Sequence, residues 1–335
     1  MEKQSVTIYT VAREARVSMA TVSRVVNGNP NVKPATRQKV LDVIKRLNYR
    51  PNAVARGLAS KKTTTVGVVI PDITDPYFAE LALGIDDVAT MYKYNIILTN
   101  SDSDDDKILK VVRNLLAKQV DGIIFMGHDV SEDLRTEFAN TNTPVVVAGS
   151  VVNDETLASV RIDYQKAAQE ATAYLLKHNE MVAYITGPLK YTINSRDRLT
   201  GYQAALAAKQ VKFNDELVLE TDGSYQAGYE LASQIKAKQI TAAYVSDDSL
   251  AAGLLNGLTD AGVNVPADVE LVSSNGTKYT KLTRPMLTSI TQPLYDLGAI
   301  SMRLLTKLMD GEDNQSDEQN VILDHGFVER QSTRK

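Results

Sequence analysis

The chain has 335 residues, 43% of them hydrophobic, with no cysteine and three scattered histidines, His128, His178 and His325. That length can bury a large core in two or three domains, and these residue counts leave no disulfide framework, no thiol-ligated zinc and no basis for a histidine metal site. The net charge of −4 conceals an asymmetry: residues 1–62 carry 13 Lys and Arg against three acidic residues, a net of +10, which leaves 24 basic against 38 acidic residues in the remainder. One end is suited to a polyanion and the rest to keeping clear of it. No run reaches the roughly 18 apolar residues of a membrane span, and Met1 to Ser5 carries no apolar export segment, so a cytoplasmic protein with no membrane partner is expected.

Residues 7–14 (TIYTVARE) and 18–26 (SMATVSRVV) predict two short helices joined by a tight turn, with Thr7 and Ser18 placed as N-caps. Val11, Ala12, Val22 and Val25 supply a small shared core and Val17 sits in the turn. Met19, Ala20 and Arg24 are left on the outer side of the second helix, where a helix-turn-helix protein reads the major groove. Arg24 suits the two acceptors of a guanine, and Met19 and Ala20 suit apolar contact with a thymine methyl or are plain helix surface. Thr7, Tyr9, Ser18, Thr21, Ser23 and Asn31 suit phosphate contacts that set register.

A third helix is predicted over 35–47, with apolar positions at Val40, Ile44 and Leu47. In the basic stretch that follows, Asn52 can cap a short helix of Ala53 to Ala59, marginal by itself because of its length and Gly57. Leu58, with Ala55 and Ala59 beside it, suits a wedge into the minor groove or a contact with a second copy of the same helix.

At Thr65 the pattern changes to alternating apolar strands and amphipathic helices. Strands are predicted at 66–70, 94–98, 120–125, 144–148 and 158–162, separated by helices at 77–92, 104–118 and 131–139. A second series follows: helix 164–177, strand 181–185, helix 196–209, strand 216–219, helix 224–236, strand 241–245, helix 248–261 and strand 269–272. A helix over 294–309 and a strand near 320–323 close the chain. The fold class is α/β: an all-helical headpiece with a hinge helix, then two lobes of parallel sheet with a ligand cleft beyond the carboxyl ends of the strands. The expected divisions are 1–50 for the headpiece, 51–62 for the hinge helix and linker, 63–162 with 292–322 for the first lobe, and 163–291 with 323–335 for the second.

The first core strand runs into PDITDPYF rather than a glycine-rich turn, and no GxxxxGK[ST] occurs, so a nucleotide-binding fingerprint is absent. Asp102, Asp104, Asp105 and Asp106 lack calcium-loop spacing and read as a solvated turn opening a helix. No nucleophile and base set stands out, and an enzyme is not expected. Asp72, Asp75, Tyr77, Asn100, Asp102, Asn194, Arg196, Asp247 and Asn275 follow strands and are the cleft candidates, either as ligand contacts or as helix caps and lobe contacts. Arg196, expected to open a helix, suits an anionic or polyhydroxyl group.

With these residues in place, the chain resembles the LacI/GalR family of repressors. TIYTVAREARVSMATVSRVVNGNPNVKPATRQKVLDVIKRLNYRPNAVARGLASKK is nearly a complete family headpiece, and TTTVGVVIPDI, MYKYNIILTNSD, KQVDGIIFMG and QPLYDLGAISMRLLTKLM extend the likeness across the chain. The resemblance implies a core of the periplasmic-binding-protein kind and a homodimer on a pseudopalindromic, catabolite-responsive operator. Met19, Ala20 and Arg24 would lie at base edges, Leu58 of each copy at a central CpG step, and Tyr49, Asn52, Ala55, Arg56 and Lys61 at backbone or hinge contacts. Tyr77 to Met91 would take part in the dimer contact. The implied corepressor is HPr phosphorylated on serine, or its paralogue Crh, docking on Tyr295, Asp296 and Arg303, with Arg303 close to the phosphate.

Three positions depart from the family pattern. Thr10 stands in place of an aspartate, Leu83 in place of a basic residue near the corepressor surface, and Asn275 in place of a ligand-pairing carboxylate. The last makes direct response to a free sugar less expected. No cofactor is expected; a sugar phosphate such as glucose 6-phosphate would fit Arg196 as a modulator. The alternative within the family is a repressor controlled directly by a sugar, sugar phosphate or purine in the cleft. A periplasmic-type solute-binding protein shares the two-lobe architecture but has no use for the +10 segment.

Overall fold

Thr7 and Ser18 start the first two helices by the same device. The Thr7 hydroxyl accepts from Thr10 N to open α1 (Ile8–Ala15), and the Ser18 hydroxyl accepts from Thr21 N to open α2 (Met19–Val26). The Thr10 side chain in turn reaches back to Thr7 N, so threonine completes the capping box at this position. The left-handed Arg16, φ 50°, ends α1 and turns the chain into α2. Pro34, with φ already set for a helix, opens α3 (Pro34–Leu47) without a side-chain cap. Val11, Ala12, Ala15, Val22, Val25, Val40 and Val43 are buried together between the three helices. An Arg46–Glu14 pair at 2.8 Å ties α3 to α1 at the surface.

The computed structural model describes residues 6–50, 62–102, 104–152, 157–311 and 319–335. The helix expected over 53–59, and with it Asn52, Ala55, Arg56, Leu58 and Lys61, lies outside the described residues. The chain divides into two compact units, Met1–Thr63 and Thr64–Lys335.

Within the larger unit each lobe is a sheet of six strands. The first has the order β11-β5-β4-β3-β1-β2, with β1 (Thr65–Ile70), β2 (Asn95–Asn100), β3 (Gly122–Phe125), β4 (Val145–Ala148), β5 (Ala158–Ile162) and β11 (Asn320–Leu323), all paired in parallel. Strand alternation sorts its side chains to two faces. Val66, Val68 and Ile70 pack under α4 (Pro76–Met91) and α12 (Leu294–Met309), whereas Val69 faces α5 (Asp105–Ala117) and α6 (Glu132–Ala139) with Ile108, Val112, Leu115 and Leu134. Both faces are covered, so the strands are apolar on both. Burying a side chain such as Leu81 or Ile85 contributes about 1.5–3 kcal/mol each.

The second sheet has the order β12-β10-β9-β8-β6-β7, with β6 (Val182–Thr186), β7 (Val218–Glu220), β8 (Ala242–Val245), β9 (Glu270–Ser273), β10 (Thr288–Thr291) and β12 (Gly326–Val328). Tyr184 and Tyr244 face α7 (Tyr164–Leu175) and α8 (Leu199–Ala208); Ile185 and Val245 face α9 (Tyr225–Ala237) and α10 (Asp248–Asp260). A short α11 (Tyr279–Leu282) follows β9. TSIT forms β10 and GFV forms β12, antiparallel to it, two strands that the sequence pattern does not predict. The chain passes between the lobes after β5, after β10 and after β11. No helix among the described residues is long and apolar enough to cross a membrane.

Candidate nucleic-acid interface and core cleft

The outer side of α2 presents Met19, Ala20 and Arg24, all exposed, Met19 at 51%. Met19 lies outside the buried core of the three helices. Tyr9 at 63% and Asn31 are also exposed, and Ser23 and Tyr49 are partly so. Thr7, Ser18 and Thr21 spend part of their hydrogen-bonding capacity locally: Ser18 Oγ and Thr21 Oγ1 are 2.9 Å apart, and the Thr7 and Thr10 hydroxyls 3.2 Å. Each cap fixes the start of the helix that carries the exposed set.

In the larger unit a cleft of about 730 Å³ opens at the carboxyl ends of both sheets. Asp72, Asp75, Tyr77, Asp102, Asn194, Asp247 and Asn275 all lie on its walls. Asp75 caps α4, accepting from Tyr77 N at 2.9 Å, and Asp247 caps α10, accepting from Ser249 N and Leu250 N. Burial pushes the Asp75 carboxyl up, and it pushes Asp247 up to about 7, with Asp75 and Asp248 adding like-charge repulsion. Asp248 is held by the backbone N–H groups of Asn275, at 3.2 Å, and Thr277, at 2.6 Å.

Two expectations need correction. Arg196 is not on the cleft wall; half-exposed, it pairs with its neighbour Asp197 at 2.7 Å. A π-helical turn, Ile193–Arg198, precedes α8, and in it Asn194 and Arg198, four residues apart, both line the cleft whereas Arg196 does not. Asn100 also stays off the wall: its Oδ1 accepts from Ile73 N at 3.0 Å and so anchors the loop after β1.

Arg198 is the residue that sequence reasoning missed. It is buried, donates from Nη1 to Asn194 Oδ1 at 2.9 Å and lies over the Tyr164 ring at 5.4 Å. Its Nε has no hydrogen-bond partner among the described residues. Burial pushes its pKa down, and Tyr244, Tyr184, Tyr164 and Tyr77 around it push it up by more. His128 is pushed down to about 4, first by burial and then by Arg198, so it is neutral. One guanidinium therefore faces Asp72, Asp75, Asp102, Asp222 and Asp247 across the cleft.

A polar chain links the lobes near the crossovers. Asn275 Nδ2 donates to Asp247 Oδ2 at 3.0 Å, Gln292 Nε2 donates to Asn275 Oδ1 at 2.8 Å, and the one hydrogen of Tyr77 Oη has two acceptors in reach, Gln292 Oε1 at 3.4 Å and Gly149 O at 3.1 Å. Gly149 holds φ 70°, and a Cβ there would fall 2.7 Å from Tyr77 Oη.

On the outer side of the first lobe, Tyr295, Asp296 and Arg303 are exposed on α12. Tyr295 Oη donates to Asp87 Oδ2 on α4 at 2.9 Å. That bond pushes the phenol up, Asp296 adds to the rise and Arg303 opposes it. Helices α4 and α12 touch at Gly84 and Gly298. Leu83, on α4, is 54% exposed.

Residues 7–52 match the family model of bacterial regulatory proteins, lacI family, and residues 63–322 match that of periplasmic binding proteins and the sugar binding domain of the LacI family. Catabolite control protein A of Streptococcus mutans is 58% identical over 330 residues, 98% of each chain. The crystal structure of the transcription regulator CcpA of Lactococcus lactis aligns with TM-score 0.77 at 46% identity, over 81% of this chain and 99% of that one. A lac repressor dimer bound to operator and the anti-inducer ONPF aligns with TM-score 0.87 at 28% identity, over 98% of this chain and 99% of that one.

Proposed function

This chain belongs to the LacI family of bacterial regulatory proteins, and we propose that it is a catabolite control regulator whose dimer reads a pseudopalindromic operator with serine-phosphorylated HPr, or its paralogue Crh, as corepressor. The observation that carries this reading is the continuity of the likeness to catabolite control protein A, 58% identity over 98% of both chains, headpiece and lobes together. The exposure of Tyr295, Asp296 and Arg303 on one helix, α12, supports the docking part, because an exposed guanidinium can hold a phosphoserine of a docked protein.

The mechanism is a population shift. Without corepressor the headpieces are not held at operator spacing and binding carries an ordering cost; docking on the first lobe favours the lobe angle that sets the spacing. A coupling of about 1–3 kcal/mol is ordinary for such a switch. A gel titration of a pseudopalindromic duplex against a scrambled duplex of equal length tests the DNA-reading part. Preferential retention of the pseudopalindrome is expected, and equal retention of the two contradicts it.

A second reading, direct control by a small molecule in the cleft, is favoured by the buried Arg198, whose Nε has no partner among the described residues, on a cleft wall that also holds Asp247 and Asn275. The sugar-phosphate modulator expected at Arg196 falls to Arg198 in this reading. Five carboxyl groups, two of them with pKa raised by burial, against one guanidinium make the cleft better suited to an uncharged polyhydroxyl compound than to glucose 6-phosphate. Saturable binding of a free sugar, lost in Arg198→Met, supports it; no saturable binding contradicts it.

A further inference from the structure

The lobes meet a second time, away from the crossovers. β3 and β6 end in the loops 126–131 and 187–192, and the sheet orders set both strands inward from β5 and β10, beside which the chain passes between lobes. Across this rim Asp129 Oδ2, from the first lobe, accepts twice from Thr192 of the second: from the backbone N at 3.0 Å and from Oγ1 at 2.8 Å. One residue earlier, His128 stacks on Tyr191 with centroids 4.5 Å apart and planes at 27°, and Phe78 meets the same imidazole edge-on at 6.3 Å. His128 and Tyr191 line both the cleft and a neighbouring cavity of about 320 Å³.

We infer that Asp129 on Thr192, together with His128 on Tyr191, forms a clasp that holds the two lobes closed over the cleft. Thr192 immediately precedes the π-helical turn Ile193–Arg198, and the backbone N–H groups at a helix start have no acceptor within the helix. A carboxylate from the other lobe meets that need, and hydrogen bonds to an ionised acceptor are roughly twice as strong as neutral ones. The stacked rings add apolar contact at the same rim. Each lobe has its own core, Val69, Ile123 and Phe125 in the first and Tyr184, Tyr202 and Tyr244 in the second. Releasing the clasp therefore frees the lobe angle without unfolding either lobe. A ligand entering the cleft has to work against this contact, and the lobe angle it restrains is the coordinate on which a docked corepressor would act.

The absence of native cysteine makes the test direct. Lys110 and Lys212 are exposed, one on each lobe; Lys110→Cys and Lys212→Cys carry spin labels in the full chain, with labelled chains diluted into an excess of unlabelled ones. Electron–electron distance measurement needs neither DNA nor corepressor, so its outcome is independent of the regulator reading. The intact clasp gives one narrow distribution. Asp129→Ala shifts it to longer distance by more than its parental width, and Asp129→Asn, which keeps an acceptor oxygen, restores it. Thr192→Val, which keeps the backbone donor, and Tyr191→Ala, which removes only the stack, each broaden it. A parental distribution in Asp129→Ala overturns the clasp. Should that variant fail to unfold as a single cooperative species, parental distributions in both Thr192→Val and Tyr191→Ala overturn it instead.

Discussion

Asn275 donates its amide nitrogen to Asp247 Oδ2 at 3.0 Å, so a carboxyl group stands beside the amide on the cleft wall. The other oxygen of the same carboxyl caps α10, accepting from Ser249 N and Leu250 N. Both amide ends of Asn275 are then engaged, one by Asp247 and one by Gln292, which makes Asn275 a connector in the interlobe chain.

This arrangement gives the core a pH dependence. Asp247 in the unfolded chain loses its proton near 3.8, whereas burial and the neighbouring carboxylates hold it in the fold until about 7. Its favourable contribution is complete below the unfolded value and is lost as pH rises through the folded one. Asp247→Asn, which keeps an acceptor for the α10 cap, should flatten that decline by on the order of 1–3 kcal/mol. Urea unfolding of parent and variant across this window measures it; parallel pH profiles would refute the assignment.

The C-terminal segment should respond in the opposite sense. Glu270, 1% exposed, accepts from Arg334 Nη2 at 2.8 Å and from Arg334 N at 2.6 Å. Burial pushes its carboxyl up, but the bonds from Arg334 and Asn179 outweigh this and hold it below the ordinary 4.5. That stability is present above the ordinary value and lost as pH falls through the folded one. Arg334→Ala should lower unfolding stability by about 1–3 kcal/mol at neutral pH, with the deficit shrinking in acid. An equal deficit at both ends of the range would point to lost packing instead.

The Gly84 and Gly298 contact predicts intolerance of one methyl group. A Cβ on Gly298 would fall 2.0 Å from Leu81 O, and one on Gly84 2.1 Å from Tyr295 O, so neither can enter without separating α4 from α12. Gly298→Ala should cost about 1–3 kcal/mol, the usual range for overpacking. It should also weaken corepressor docking, because the Tyr295–Asp87 bond spans the same two helices. Thermal unfolding and binding titrations check the two parts.

In the headpiece, Arg24→Ala should reduce affinity for the preferred operator by about 1–3 kcal/mol and relax preference at one base pair, leaving binding to unrelated DNA nearly unchanged. Ser18→Ala should instead cost about 1 kcal/mol of headpiece stability through the lost cap. Competition with single-base operator variants separates these effects. Equal loss on all sequences for Arg24→Ala would make it a phosphate contact.

Much of this was legible in the residues. The caps at Thr7 and Ser18, the valine core of the headpiece and the apolar strands of both sheets follow from local spacing, since each is set within a few residues. Arg198 was not, because Arg196 and Arg198 stand two residues apart and the residue types alone do not say which of the two turns toward the cleft. β10 and β12 were not legible because TSIT and GFV are too short to show an alternating pattern alone; they form by pairing with each other and, for β10, with β9. The partnership of Asp247 with Asn275 joins positions 28 residues apart and depends on two loops meeting at the strand ends.

The central claim is tested most directly by fluorescence anisotropy of a labelled duplex carrying a pseudopalindrome with a central CpG step, titrated with this protein at fixed salt with and without serine-phosphorylated HPr. The account predicts tightening of roughly 5- to 150-fold by the phosphoprotein, none by unphosphorylated HPr, and loss of the response in Arg303→Ala. Equal affinity with and without the phosphoprotein would contradict it and leave control to a small molecule held at Arg198.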